Sequence, residues 1–183
     1  MAHFESIFSV RLCHPEDAPL LAPLISALAT EEGVTPPEPE ALEEIIRAML
    51  TTGFSDFVIA ERGPNEDEVV GCIQINYRLS TWAAAPYAYL EDFYLVPEAR
   101  AQGIGTKLLD YACQRAEGKG CQNVQLDVRE ANKGAMRLYA RYGFKVTNSM
   151  IWKRDKPECE HDYSAEINEL VDHLRGNEET EAA

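Results

Sequence analysis

The sequence predicts an α+β domain with a mixed, mostly antiparallel sheet flanked by helices. Three observations carry this prediction. Short runs that alternate apolar and polar residues stand between stretches with apolar residues at helical spacing. Their order along the chain is β-α-α-β-β-β-α-β-α-β, which suits one layered domain with a mixed sheet. The 183 residues are 45% hydrophobic and 26% charged, enough for a single sizeable core.

Phe8 to Leu12 alternates and reads as the first strand. Pro15-Glu16-Asp17 opens a helix with Leu20, Leu21, Leu24, Ile25 and Leu28 on one face. After the loop of Gly33, Pro36, Pro37 and Pro39, Glu40 to Thr51 forms a second amphipathic helix ended by Gly53. Phe57 to Ala60 and Val69 to Tyr77 form a hairpin across the turn signal Gly63 to Asp67. Tyr87 to Val96 is the next strand, and Thr106 to Glu117 the third helix, broken by Gly118 and Gly120. Gln122 to Val128 alternates again. Ala131 to Tyr142 is a fourth helix closed by Gly143, and Phe144 to Lys153 a last strand. Residues 8–156 make the domain. Residues 157–183 form an acidic extension, with Ile167, Leu170, Val171 and Leu174 marking a helix over Ser164 to Leu174.

The formal net charge is -14. Nine Asp/Glu and one Lys/Arg lie between Glu158 and Ala183, so the extension carries -8 and the rest -6. Such acidity argues against nucleic acid and anionic membranes as partners and favours a cationic substrate. No apolar run is long enough to span a bilayer, and no signal-type segment opens the chain, so a cytoplasmic location is expected. The five cysteines are scattered without a C-x-x-C pair, and the four histidines form no spaced pair. Buried free thiols and no metal site are expected.

Arg100-Ala101-Gln102-Gly103-Ile104-Gly105 stands between a strand and a helix. A glycine turn at a helix N-terminus brings backbone N–H groups close to a phosphate. Leu108 occupies the third glycine position of a dinucleotide fingerprint. The upstream glycine of an NTPase loop is missing. What remains is Arg/Gln-x-x-Gly-x-Gly/Ala, together with Leu90-Glu91-Asp92-Phe93 before it and Asn132, Ala135, Leu138-Tyr139 and Gly143-Phe144 after it. This set resembles the GNAT superfamily of N-acetyltransferases over roughly Val10 to Lys153. Within it, Leu90-Glu91-Asp92-Phe93 is most similar to the spermidine/spermine and thialysine acetyltransferase branch. Thr30-Glu31-Glu32 replaces a lysine–tyrosine–glutamate stretch of the polyamine enzymes.

The resemblance implies acetyl-CoA as co-substrate and transfer to a primary amine, a small cationic one such as a polyamine or lysine analogue. Peptides and aminoglycosides are alternative acceptors, and a non-catalytic acyl-CoA-binding module is the alternative from another class. It implies that Arg100 to Thr106, Ala101 included, binds the cofactor, the backbone of Gln102 to Thr106 holding the pyrophosphate and Arg100 serving as a turn-ordering or phosphate-adjacent cation. It implies that Phe93, Tyr94 and Leu95 pair with the pantetheine arm as an added strand, and that Asn132, Lys133 and Ala135 contact the cofactor. Glu91 is the expected base, directly or through water, because an amine of pKa about 10.4 must lose its proton. Strand alternation allows only one of Glu91 and Asp92 to face the amine. Tyr139 is the expected acid toward the departing thiolate. Glu32 and Asp127 are candidate substrate contacts, and Trp82 either walls a substrate pocket or covers the sheet. A homodimer is the expected assembly.

Overall fold

The computed structural model describes residues 8–63, 68–147, 149 and 151. Its strands are β1 Phe8–Leu12, β2 Ser55–Arg62, β3 Glu68–Ser80, β4 Ala85–Leu95 and β5 Val124–Leu126. Its helices are α1 Ala18–Glu31, α2 Pro39–Thr52, α3 Ile104–Gly118 and α4 Lys133–Tyr142. The chain divides between Asn132 and Lys133 into two compact units; α4 belongs to the second and all the other elements to the first. Among the described residues, no helix is long and apolar enough to cross a membrane.

The sheet runs β1-β2-β3-β4-β5. The first four strands are antiparallel, and β5 lies parallel to β4 after the crossover through α3. The fold class is therefore as predicted. One core joins α1 and α2 to the sheet through Leu21, Leu24, Leu42, Ile46, Phe57 and Ile59, with Cys72 and Tyr94 beneath them. A second core lies under α3, whose Ile104, Leu108, Leu109, Ala112 and Ala116 are fully buried at helical spacing. Gly53 closes α2 at φ 69, the left-handed cap that favours glycine.

Two polar clusters pin these layers. Arg11 on β1 donates to Asp17 before α1 and to Glu61 on β2, at 2.8 and 2.9 Å. Asp56 on β2 accepts from Tyr77 at 2.6 Å and from Arg115 of α3 at 2.7 Å, with Lys119 at 3.7 Å. Burial works against ionisation of Asp56. The bonds from Arg115 and Tyr77 and the two positive charges nevertheless hold its carboxyl below the usual range. The C-terminal end of α3 is thereby tied to β2.

β4 carries the irregularity that shapes the site. Gln74 pairs with Glu91 and Cys72 with Tyr94, so Asp92 and Phe93 together oppose Ile73 alone. This is a β-bulge, with Asp92 at φ 45 in the left-handed region. The Cys72 thiol donates to the Asp92 carbonyl at 3.4 Å, and burial raises its pKa, which keeps that proton in place. Beyond the bulge β4 presses against Gly71. A Cβ there would lie 2.7 Å from the Tyr94 carbonyl oxygen and 2.3 Å from Leu95 Cδ2.

Two expectations need correction. The rule of alternation fails at Glu91 and Asp92, because the bulge adds one residue and turns both toward the same cavity. Phe144 to Lys153 is not a strand in its described part: residues 144–147, 149 and 151 form no ladder. The rest of that segment, the predicted helix at Ser164 to Leu174 and the acidic extension lie outside the described residues.

Candidate active site

β4 continues through Val96 and the 3-10 turn Pro97–Ala99 into the turn that opens α3. Ala101 adopts φ 61 and Gly103 φ 83. The space around Gly103 is open, since a Cβ there would meet nothing within 4 Å. The glycine is demanded by its backbone angle and not by crowding. The N–H groups of Thr106 and Lys107 both bond the Gly103 carbonyl. Those of Ile104 and Gly105 take no backbone partner among the described residues, as expected of a helix start. This cradle fits an anionic group approaching α3. Arg100 orders the turn: its Nε donates to the Leu95 carbonyl at 2.9 Å and its Nη2 to Glu31 at 2.6 Å. Gln102 donates to the Glu98 carbonyl at 2.6 Å.

β5 pairs with Ala88, Tyr89 and Leu90. β4 runs on to Leu95 with β3 as its strand partner. The departure of β5 coincides with the bulge, so the backbone of Phe93, Tyr94 and Leu95 follows the point where the two parallel strands part.

A cavity of about 470 Å³ opens on the α1–α2 side of the sheet at this level. One wall is apolar, built from Ile25, Leu42, Ile45, Ile46, Met49 and Phe57. The other is polar, built from Ser55, Gln74, Asn76, Arg78, Glu91 and Asp92. Asn76 organises it: its Oδ1 accepts from Ser55 at 2.5 Å and from Gln74 at 2.9 Å. Its Nδ2 therefore faces Glu91, and donates to Oε2 at 2.5 Å. Glu91 is thus oriented by a side chain that is itself held from two sides. None of Ser55, Gln74, Asn76 and Arg78 stands out in the sequence, because each depends on a cross-strand neighbour.

Burial pushes the Asp92 carboxyl above its ordinary pKa, and the neighbouring Glu91 charge adds to this. A raised carboxyl pKa means that the folded chain keeps a proton the unfolded chain has lost. Stability from this group therefore falls as pH rises from the ordinary carboxyl range through the raised value. Asp92→Asn removes that loss and suits φ 45. Its Tm exceeds that of the parent at pH 7, and the gap narrows below about pH 3.9. Thermal unfolding at both pH values checks this; a variant less stable at pH 7 contradicts it.

The other expected residues are distributed as follows. Glu32 pairs with Arg129 at 2.6 Å and does not line the cavity. Asp127 accepts the Tyr89 hydroxyl, also away from the cavity lining. Trp82 is fully exposed at the tip of the β3–β4 hairpin, so it neither walls the cavity nor covers the sheet. Asn132 ends the first unit, immediately before α4. In the second unit, Lys133 starts α4, Ala135 is half-buried, and Tyr139 is buried with its ring 5.9 Å from that of Phe144. Burial pushes the Tyr139 phenol up to about 12.

A family model described as the acetyltransferase (GNAT) family matches residues 23–144. Thialysine N-epsilon-acetyltransferase of Mus musculus is 36% identical over 118 residues, covering 60% of this chain and 69% of that protein. A crystal structure of a probable acetyltransferase shares the fold with a TM-score of 0.72 at 24% identity, over 81% of this chain and 99% of that one. A predicted acetyltransferase from Clostridium acetobutylicum, solved with acetyl-CoA, gives 0.68 at 20% identity, over 81% and 96%.

Proposed function

Because this chain belongs to the GNAT acetyltransferase family, and is an N-acetyltransferase, we propose that it moves the acetyl group of acetyl-CoA onto a small primary amine. The acceptor enters the cavity as an ammonium and meets Glu91 and Asp92. One observation carries this reading: the bulge turns two adjacent carboxylates to the cavity where β5 leaves β4. The two acidic side chains at that end favour a cationic acceptor. The relative named for thialysine supports an amino acid or amine acceptor over a peptide.

Acetyl-CoA supplies an activated thioester. The turn Arg100 to Thr106 would hold its pyrophosphate, and the backbone of Phe93, Tyr94 and Leu95 would take its arm as an added strand. In the family pattern Asn132, Lys133 and Ala135 would also contact the cofactor. The protein's own tasks are then two proton transfers and positioning. Glu91, fixed by Asn76, removes the ammonium proton directly or through water. Burial pushes the Tyr139 phenol up to about 12, so it holds its proton at neutral pH, and it would be the donor toward the leaving thiolate. Tyr139→Phe accordingly lowers kcat by about 100-fold with little change in KM. Unchanged kcat at every pH removes Tyr139 from the mechanism.

The test of the function is thiol release from acetyl-CoA in the presence of polyamines, lysine analogues, aminoglycosides and peptides. Release that depends on a small amine is the expected result. Tight CoA binding with no release for any acceptor would leave a binding module in place of an enzyme.

A further inference from the structure

Arg78 is the only cation among the residues lining the cavity. Its guanidinium carbon lies over the Tyr89 ring, 4.0 Å from the ring centroid. Tyr89 is in turn anchored by its hydroxyl to Asp127. The nearest carboxylate to Arg78, Glu91, is 4.0 Å away, beyond hydrogen-bond reach. Arg11, Arg100, Arg115 and Arg129 behave differently, each bonding a carboxylate at 2.6–2.8 Å. Arg78 thus keeps a planar fork of donors in place on an aromatic support, with no hydrogen bond to any described residue.

Such a fork is made for a carboxylate. Its position beside Glu91 sets the spacing of the ligand. An ammonium at Glu91 and a carboxylate at Arg78 must belong to groups only a few ångströms apart. In an α-amino acid the nitrogen and the carboxyl carbon are about 2.5 Å apart. In lysine the side-chain nitrogen is roughly 7 Å from the same carbon when extended.

The rest of the cavity bears on the side chain. Its far wall of Ile25, Leu42, Ile45, Ile46, Met49 and Phe57 offers no carboxylate, since both acids of the lining are neighbours at one end. The second ammonium of a diamine would be buried there without a partner, which is unfavourable. An apolar side chain would be welcome.

Resting on the acetyl transfer proposed above, we propose that the acceptor is an α-amino acid with an apolar side chain. Arg78 holds its carboxylate, Glu91 and Asp92 receive its α-ammonium, and the aliphatic wall takes the side chain. The α-ammonium gives one proton to Glu91 before attack; the α-nitrogen then bonds the acetyl carbon as the carbon–sulfur bond breaks, and the second proton it loses balances the one the leaving thiolate takes up.

The test compares thiol release with leucine, methionine and phenylalanine in both enantiomers, with their decarboxylated amines, and with lysine and spermidine. The expected kcat/KM for the apolar amino acids exceeds that for the decarboxylated amines by about 10–100-fold, the worth of one charge-assisted pair. In Arg78→Gln that ratio falls toward one, through KM. In Arg78→Lys part of it returns. Mass spectrometry of the product locates the acetyl group on the α-nitrogen. Preference for spermidine, for the decarboxylated amines or for acetylation of the lysine side chain overturns the inference while leaving the acetyltransferase reading standing. So does a ratio unmoved in Arg78→Gln. Silence with every acceptor overturns both.

Discussion

Glu91→Gln lowers kcat/KM by about 10²–10⁴-fold, the usual range for loss of a positioned base. The substitution is nearly isosteric, and Asn76 still has an oxygen to bond, so the cavity keeps its shape. What disappears is the proton acceptor and one of two adjacent negative charges. The second loss has its own signature. Glu91 is one of the two causes that hold the Asp92 carboxyl above its ordinary pKa, after burial. In Glu91→Gln the Asp92 pKa falls, and the acid limb of any residual activity moves to lower pH. The measurement is a pH–rate profile of both proteins with the best acceptor. Full activity at all pH values would sink the assignment of Glu91 as base. A large loss with an unmoved acid limb would separate the two carboxylates, leaving Asp92 without a part in the profile.

Gly71→Ala destabilises the protein by about 1–3 kcal/mol, the range for overfilling a packed position. Of the two atoms its new methyl meets, Leu95 Cδ2 is the end of a flexible side chain and can turn away. The Tyr94 carbonyl oxygen, 2.7 Å from the added carbon, is backbone and cannot yield without moving β4. The strand would shift at the residues expected to receive the pantetheine arm. CoA affinity therefore falls together with the denaturation midpoint. Urea unfolding and calorimetric titration with CoA measure the two effects. A variant of parental stability would show that β4 can slide on β3 beyond its bulge.

Much of the fold is legible in the chain because periodicity reports burial directly. Phe8–Leu12 is read to its ends, and α2 to within one residue at each end. The third helix starts two residues before Thr106, because the left-handed turn at Gly103 lets Ile104 enter as a buried first residue. The strand over Gln122 to Val128 shrinks to Val124–Leu126, since its partner ladder ends at Leu90. Bulge formation at Asp92 and Phe93 carries no glycine or proline to announce it. It follows from the register that β3 imposes at Cys72 and Gln74, a contact made across 20 residues of chain. For the same reason nothing in the alternating run singles out Asn76, and Arg78 falls just past its expected end at Tyr77. Charge or bulk alone puts Glu32, Trp82 and Asp127 at the substrate; the structure gives Glu32 to Arg129, Asp127 to Tyr89, and Trp82 to solvent.

The added residue in β4 also divides the strand into two independent reading frames. Upstream, Tyr89 and Glu91 share a face with Asn76 and Arg78 and look toward the α1–α2 side. Downstream, Tyr94 turns to that same side although it stands three positions from Glu91, an odd step that an unbroken strand forbids. Changes of side chain before the bulge can therefore recast which amine is accepted without displacing the edge that follows it. A one-residue insertion or deletion has the opposite character. It would exchange inside for outside along one half of the strand, so new specificity in this fold is reached through substitution and not through length.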